Sequence, residues 1–105
     1  MSERKTILIT GSSHGIGAAT AIAFAKDGYD VGINYNKSSE GAEEVAASCR
    51  QHGADAQIYP CDVSKREQCE RMLAAFIAHF GHIDVLVNNA GGALKMPEGG
   101  FIDMP

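Results

Sequence analysis

Several kinds of signal are missing from this 105-residue sequence, and each absence excludes a class of protein. No apolar run approaches about 18 residues, the length of a membrane span, and the most apolar stretch, residues 18–25, is far too short. Basic residues are scattered and the net charge is -4, so neither nucleic acid nor an anionic membrane is expected as a partner. The N-terminus shows no secretory signal core. We therefore expect a cytoplasmic protein whose partner is a small molecule.

Signals for disulfides and metal sites are also scarce. The three cysteines form neither a CxxC pair nor an even set, which suits a reducing compartment. Cys49 and Cys69 fall on apolar faces of predicted helices, so we interpret them as core thiols. His79 and His82 have no third ligand nearby in the sequence, so we predict no metal site.

What is present is a regular alternation of short apolar runs with longer segments of helical period, which is typical of βαβ units. Strands are predicted at residues 6–10, 30–35, 56–59 and 82–87. Helices are predicted from a glycine turn to about Lys26 ahead of Gly28, from Ser38 to Gly53, and from a capping box at Ser64 and Glu67 to Gly81. The residues predicted on the apolar faces of the second and third helices are Ala42, Val45, Ala46 and Cys49, then Cys69, Met72, Leu73, Phe76, Ile77 and Phe80.

These elements predict an α/β fold of the Rossmann type, a doubly wound parallel sheet. Because strand-helix-strand connections are right-handed, the expected spatial order of the strands is 3-2-1-4. Strands 1 and 4 then flank a crevice at their carboxyl ends, where open α/β sheets bind ligands. The tail after residue 92 is rich in glycine and proline and reads as irregular, so we expect the sequence to end before a fifth strand. Strand 4 would then be an apolar edge.

The most distinctive segment is the glycine-rich turn TGSSHGIG at residues 10–17, between the first strand and the first helix. A diphosphate can bind at a helix N-terminus, where N–H groups are free, if no β-carbon blocks its approach. Gly11, Gly15 and Gly17 leave that approach open. Their spacing, G-x3-G-x-G, differs from the commoner dinucleotide fingerprint G-x-G-x-x-G. The alternative is that the glycines only tighten the turn.

Two weaker motifs follow other strands at the same edge of the predicted sheet. The sequence NNAG at residues 88–91 would let a ribose or a nicotinamide approach the backbone, although asparagine and glycine also occur in ordinary turns. Asp62, in the sequence CDV at residues 61–63, could accept a hydrogen bond from an adenine amino group. It is equally suited to the N-terminus of the helix that follows.

Together the three motifs TGxxxGxG, DV and NNAG resemble the short-chain dehydrogenase/reductase family, and the resemblance covers the whole chain. It implies that residues 1–105 are the N-terminal, cofactor-binding part of a single Rossmann domain whose remainder is absent. It also implies NAD(P)-dependent hydride transfer between a nicotinamide and a carbonyl or alcohol substrate. The cofactor contacts that it implies are Gly11, Ser13, Gly15, Ile16 and Gly17 at the pyrophosphate, Asp62 and Val63 at the adenine, and Asn89, Ala90 and Gly91 near the ribose and nicotinamide. Thr10 and Asn88 are interpreted as braces between strands.

The end of the second strand bears on which nicotinamide cofactor is bound. An acidic residue there would grip the adenosine ribose hydroxyls and repel a 2′-phosphate. This chain has Tyr35, Asn36 and Lys37 at that point and no carboxylate before Glu40. Lys37, together with His14, could face a phosphate. We therefore predict NADP, with NAD as the alternative.

The residues that carry out the reaction in this family, a serine followed by Tyr-x-x-x-Lys, are not in the sequence. The residues four positions after its three tyrosines are Ile33, Ser39 and Val63. We name no catalytic residue and expect residues 1–105 to be inactive by themselves. We expect them to belong to a longer, homo-oligomeric enzyme that prefers NADP. The alternative is a non-catalytic dinucleotide-binding fragment or interaction module. A Rossmann-like methyltransferase is disfavoured by NNAG and by the lack of an acid ending the second strand.

Overall fold

The computed structural model describes residues 4–13, 15–89 and 100–103. Strands and helices alternate along the chain as far as the fourth strand, as predicted. In order they are β1 (Thr6–Ile9), α1 (Gly15–Lys26), β2 (Asp30–Tyr35), α2 (Ser39–Gln51), β3 (Ala56–Pro60), α3 (Arg66–Phe80), β4 (Val85–Asn88) and β5 (Gly100–Asp103).

The five strands of the described residues form one parallel sheet in the order β3-β2-β1-β4-β5. Ile7 of β1 pairs with Val31 on one side and with Val85 on the other. The predicted order 3-2-1-4 is confirmed. The chain therefore reverses its direction of winding between β1 and β4, so the carboxyl ends of these strands border one crevice.

The prediction that β4 forms the edge of the sheet is wrong. A fifth strand, Gly100–Asp103, runs parallel to β4 and starts opposite Val85. An apolar strand with open backbone groups favours pairing with another strand, and this segment satisfies those groups. Four residues that begin with glycine carry too little pattern to predict a strand.

The core lies on both faces of the sheet because β1 is buried along its whole length. Ile7 and Ile9 face α1 and α2, whereas Leu8 faces α3. The predicted apolar face of α2 is confirmed, since Ala42, Val45, Ala46 and Cys49 are all buried. On the α3 side Gly32 makes room for a large ring, because a β-carbon there would lie 2.6 Å from Cε2 of Phe76.

Three glycines lie just beyond the helices, as predicted, and all adopt the left-handed conformation. Gly28, Gly53 and Gly81 have φ angles of 94°, 88° and 87°. Ser38 is the N-cap of α2, where its Oγ accepts the N–H of Gly41 at 3.2 Å. These caps set the lengths of the helices and so return each strand to the same edge of the sheet.

Three local predictions are wrong. The capping box does not form, because α3 begins at Arg66 and the Ser64 hydroxyl donates instead to the Asp62 carboxylate at 2.7 Å, a stronger acceptor. β4 begins at Val85 rather than at residue 82, since the N–H of Thr6 donates to the Asp84 side chain at 2.7 Å.

The third wrong prediction concerns the apolar face of α3. Cys69, Met72 and Phe76 are buried, but Ile77 is 39% exposed because the apolar stripe of the helix is wider than the surface it covers.

Within the described ranges, no helix combines the length and hydropathy of a membrane span.

Candidate functional site

The glycine turn leaves β1 and enters α1 through two residues of left-handed backbone. Gly11 has a φ angle of 61° and Gly15 one of 64°, a conformation that costs other residues about 1–2 kcal/mol. A β-carbon at Gly15 would have no atom within 4 Å, so open space adjoins the first residue of α1. The N–H groups of that first turn have no partner within the helix, which makes this space suitable for an anion.

Gly17 lets α1 pack directly against the turn. A β-carbon there would lie 2.4 Å from the carbonyl oxygen of Gly11, 2.7 Å from Nδ2 of Asn89 and 2.8 Å from Cα of Ser12. Two of these three atoms belong to the backbone and cannot move aside as a flexible side chain would. Only glycine fits at this position without displacing the turn.

A buried asparagine that the sequence analysis did not single out supports the turn. Asn34, in β2, is 2% exposed, and its Oδ1 accepts the N–H of Gly11 at 2.9 Å. Its Nδ2 donates to the carbonyl oxygens of Tyr59 and Cys61, both at 3.2 Å. An asparagine inside an otherwise apolar strand is disfavoured, and that was the available signal.

Ser12 completes this support. Its hydroxyl donates to the carbonyl of Ile9 at 2.7 Å and accepts the N–H of Asn34 at 3.1 Å. The N–H of Ser12 donates in turn to the carbonyl of Asn34 at 3.0 Å. Ser12 is fully buried and Ser13 is 7% exposed. The turn is therefore fixed to β2 by hydrogen bonds in both directions.

The end of β4 is joined to the turn from the opposite side. Thr10 donates through its backbone N–H to Val87 at 3.0 Å and through its hydroxyl to Oδ1 of Asn88 at 3.2 Å, so both residues brace the strands, as predicted. Asn89, which was predicted near the ribose and nicotinamide, donates its amide to the carbonyl of Gly11 at 3.1 Å. Three residues predicted for the site lie outside the described residues: His14, Ala90 and Gly91.

Asp62 occupies a short loop between β3 and α3. Its carboxylate accepts both the hydroxyl and the N–H of Ser64, at 2.7 and 3.0 Å. The N–H of Asp62 donates to the side-chain oxygen of Gln68 at 2.8 Å. The hydrogen bonds from Ser64, helped by the charges of Lys65 and Lys37, hold the pKa of the Asp62 carboxyl below its usual value. Asp62 is therefore ionised at neutral pH, and its carboxylate orders the loop instead of capping α3.

The end of β2 lies beside this loop. The N–H of Cys61 donates to the carbonyl of Tyr35 at 2.9 Å. Tyr35 is half-buried, whereas Asn36 and Lys37 are exposed. The positive charge of Lys37 contributes, after that of Lys65, to the lowered pKa of the Asp62 carboxyl. The start of α2 also reaches the turn, because a β-carbon at Gly41 would lie 2.8 Å from the carbonyl oxygen of Ser13.

The cysteines belong to the core, as predicted for Cys49 and Cys69. All three thiols are free and buried, and the Sγ atoms of Cys61 and Cys69 are 3.9 Å apart. Burial raises the pKa of Cys61 to about 12 and that of Cys49 to about 11. Of the residues that the structure describes, no three His, Cys, Asp or Glu side chains are grouped as metal ligands would be.

Comparison with known proteins identifies the family to which this arrangement belongs. A family model described as short chain dehydrogenase matches residues 5–104. This chain is a member of the short-chain dehydrogenase family. Glucose 1-dehydrogenase 2 of Bacillus subtilis is 42% identical over 95 residues, which cover 89% of the chain and 37% of that enzyme.

Solved structures of short-chain dehydrogenases and related reductases share the fold. A putative dehydrogenase from Burkholderia cenocepacia with bound NADP has a TM-score of 0.79 and 32% identity, over 82% of this chain and 34% of that one. An NADH-dependent reductase complexed with NAD has a TM-score of 0.78 and 42% identity, over 86% of this chain and 37% of that one. The chain spans between 33% and 37% of the length of the curated relatives it matches.

Proposed function

We propose that this chain binds NAD(P) as the first part of the Rossmann domain of a short-chain dehydrogenase. The observation that carries the proposal is the start of α1, where Gly15 leaves open space beside the helix N-terminus and Gly17 lets the helix pack on the turn. A pyrophosphate there would accept N–H groups and lie at the positive end of the helix dipole. Relatives solved with NADP and with NAD support this class of cofactor.

The other subsites are proposed from the strand ends around the turn. Ile16, which is 62% exposed, offers an apolar surface beside the pyrophosphate. Asp62 and Val63 would contact the adenine, although Val63 also packs against the core on the α3 side. The residues proposed for the adenosine ribose are Tyr35, Asn36 and Lys37, while His14, Asn89, Ala90 and Gly91 remain predictions.

The bound nicotinamide would give a hydride to a carbonyl or take one from an alcohol. The residues of this chain bind and orient the cofactor, and Asn34 and Ser12 keep the turn in shape. We assign proton transfer to none of them, since the sequence contains no Tyr-x-x-x-Lys. Turnover of a small carbonyl or alcohol is proposed for a longer, cytoplasmic and homo-oligomeric protein. Free thiols favour that location.

We further propose a preference for NADP over NAD. Lys37 is exposed at the end of β2, and residues 35–39 include no carboxylate to repel a 2′-phosphate. The 2′-phosphate would add negative charge where Lys37 already acts on Asp62.

Calorimetric titration with NADPH and NADH tests both proposals. We expect tighter binding of NADPH, and we expect Lys37→Glu to weaken NADPH binding about tenfold or more, because attraction to the phosphate becomes repulsion. NADH binding should change less than about threefold. The matched control is Lys26→Glu, which makes the same charge change at the far end of α1 and should alter neither affinity.

The possible results separate the two proposals. A wild-type preference for NADH would contradict the NADP assignment alone. Failure to bind either cofactor would contradict the function itself. Binding without turnover in the longer protein would favour the alternative function, a non-catalytic dinucleotide-binding module.

A further inference from the structure

Asn34 is unusual among the core residues of β2 because its polar side chain is almost completely enclosed. Its exposure is 2%, while Val31 and Ile33 in the same strand are fully buried apolar residues. A buried amide costs free energy unless its hydrogen bonds are made, and an apolar residue of similar size would ordinarily serve a strand better. The hydrogen bonds of Asn34 therefore require an explanation beyond packing.

Those hydrogen bonds join two segments that β2 separates. On one side Oδ1 accepts the N–H of Gly11, the first glycine of the turn. On the other side Nδ2 reaches the carbonyl oxygens of Tyr59 and Cys61, at the end of β3 and immediately before Asp62. One rigid amide thus spans from the proposed pyrophosphate subsite to the proposed adenine subsite.

The contacts also engage both polar atoms of the side chain. The amide oxygen has its donor, and each of the two amide protons has a carbonyl acceptor within 3.2 Å. The backbone of Asn34 is fixed independently by the exchange of hydrogen bonds with Ser12. The side chain is therefore held by hydrogen bonds at both of its polar atoms while Ser12 holds the backbone.

We propose that Asn34 is a positioning residue that holds the glycine turn and the Asp62 loop at a fixed separation, so that a dinucleotide meets both subsites already in place. This inference rests on the proposed function. Its physical basis is preorganisation: a ligand that spans both subsites does not have to order them on binding. A ligand that occupies only one subsite gains much less from the same link.

The test compares Asn34→Ser with wild type, using NADP⁺ as a ligand that spans both subsites and 2′-AMP as one that occupies the adenosine side alone. We expect the Kd of NADP⁺ to rise about tenfold, the equivalent of one buried hydrogen bond, and that of 2′-AMP to rise less than about threefold. The control is Thr6→Val. It removes hydrogen bonds of a buried hydroxyl at the amino end of β1, away from the strand ends that border the site. It should change neither Kd by more than about twofold.

Amide hydrogen exchange in the ligand-free protein provides a readout that does not depend on the cofactor. The Gly11 amide should exchange slowly in wild type and in Thr6→Val, and at least about tenfold faster in Asn34→Ser. If Asn34→Ser does not fold, the wild-type exchange rate still decides, because an unprotected Gly11 amide would overturn the proposal.

The proposal would also be overturned if Asn34→Ser raised the Kd of NADP⁺ and that of 2′-AMP by the same factor, or if it left the Kd of NADP⁺ unchanged. If wild type binds neither ligand while its Gly11 amide is protected, the proposed function fails and the link between the two segments stands as structural only. The failures of the function and of this inference are therefore distinguishable.

Discussion

Replacing Gly17 with alanine tests whether the close approach of α1 to the glycine turn shapes the cofactor site. The new β-carbon would lie 2.4 Å from the carbonyl oxygen of Gly11, whereas ordinary contacts begin at 3.4 Å. The turn or the helix must therefore move by about 1 Å, since the contacting atom belongs to the backbone. The carboxamide of Asn89, 2.7 Å from the same point, would be displaced as well.

The effect on stability is small because two terms oppose each other. Overpacking costs about 1–3 kcal/mol, and alanine gains about 1 kcal/mol over glycine inside a helix. We expect the free energy of unfolding to fall by roughly 0–2 kcal/mol. Binding has no such compensation, and a misplacement of about 1 Å in a positioned site can cost up to about a hundredfold. The Kd for NADPH should therefore rise at least about tenfold.

Urea denaturation and calorimetric titration with NADPH measure the two effects separately. Gly28→Ala is the matched control because Gly28 has a φ angle of 94°, no atom within 4 Å of a new β-carbon, and a position beyond the far end of α1. It should lose about 1–2 kcal/mol of stability through backbone strain and keep the wild-type Kd. The reasoning would be refuted if Gly17→Ala bound NADPH with wild-type affinity, or if Gly28→Ala lost as much affinity for NADPH as Gly17→Ala.

Three further predictions concern the core, the acid limb of stability and the thiols. Phe76→Ala should lower the free energy of unfolding by about 3–5 kcal/mol in urea, because the ring is fully buried; a loss below about 1 kcal/mol would contradict this packing. Burial raises the pKa of Asp55, but hydrogen bonds from Gln57 and His79 outweigh burial and hold it below the usual value. The stabilisation by the Asp55 carboxylate is thus present above the unfolded-state pKa and lost as pH falls through the folded-state pKa. Asp55→Asn should therefore lose less stability than wild type below about pH 5, by under about 1 kcal/mol because the site is half-exposed. A larger loss of stability in acid for the variant than for wild type would contradict the direction of this pKa shift. Because burial raises the pKa of Cys61 to about 12, the native protein should resist alkylation there at about pH 8 until denaturant is added, as mass spectrometry would show; rapid native labelling would argue against the buried position.

The order of the strands could be predicted from the sequence because it depends on periodicity and handedness, which are local or general properties. β2 was predicted at the residues where it is found, since Gly28 ends the preceding helix and an apolar run follows at once. The apolar face of α2 could be predicted for the same reason. Each of these features needs only the chain itself and the rule that connections are right-handed.

The parts that were missed depend on competition between groups that are distant or ambiguous in the sequence. Ser64 had two acceptable partners, and the charged one, Asp62, prevailed over the helix cap. The start of β4 depended on a carboxylate meeting Thr6, 78 residues away along the chain. Asn34 gave only the signal of a polar residue in a strand, because its role appears only when three strand ends are brought together.

The buried position of Asn34 and Ser12, set against the exposure of Lys37, suggests how this scaffold can diversify. The residues that give the turn its shape are shielded from solvent and hydrogen-bonded to one another, so an exchange there alters the turn itself. Lys37 carries no comparable constraint and can be replaced without repacking. Evolution or an engineer could therefore change the cofactor preference by substitutions at exposed positions such as Lys37 while the buried residues that shape the turn stay the same. Cofactor selectivity and the stability of the fold then depend on different residues.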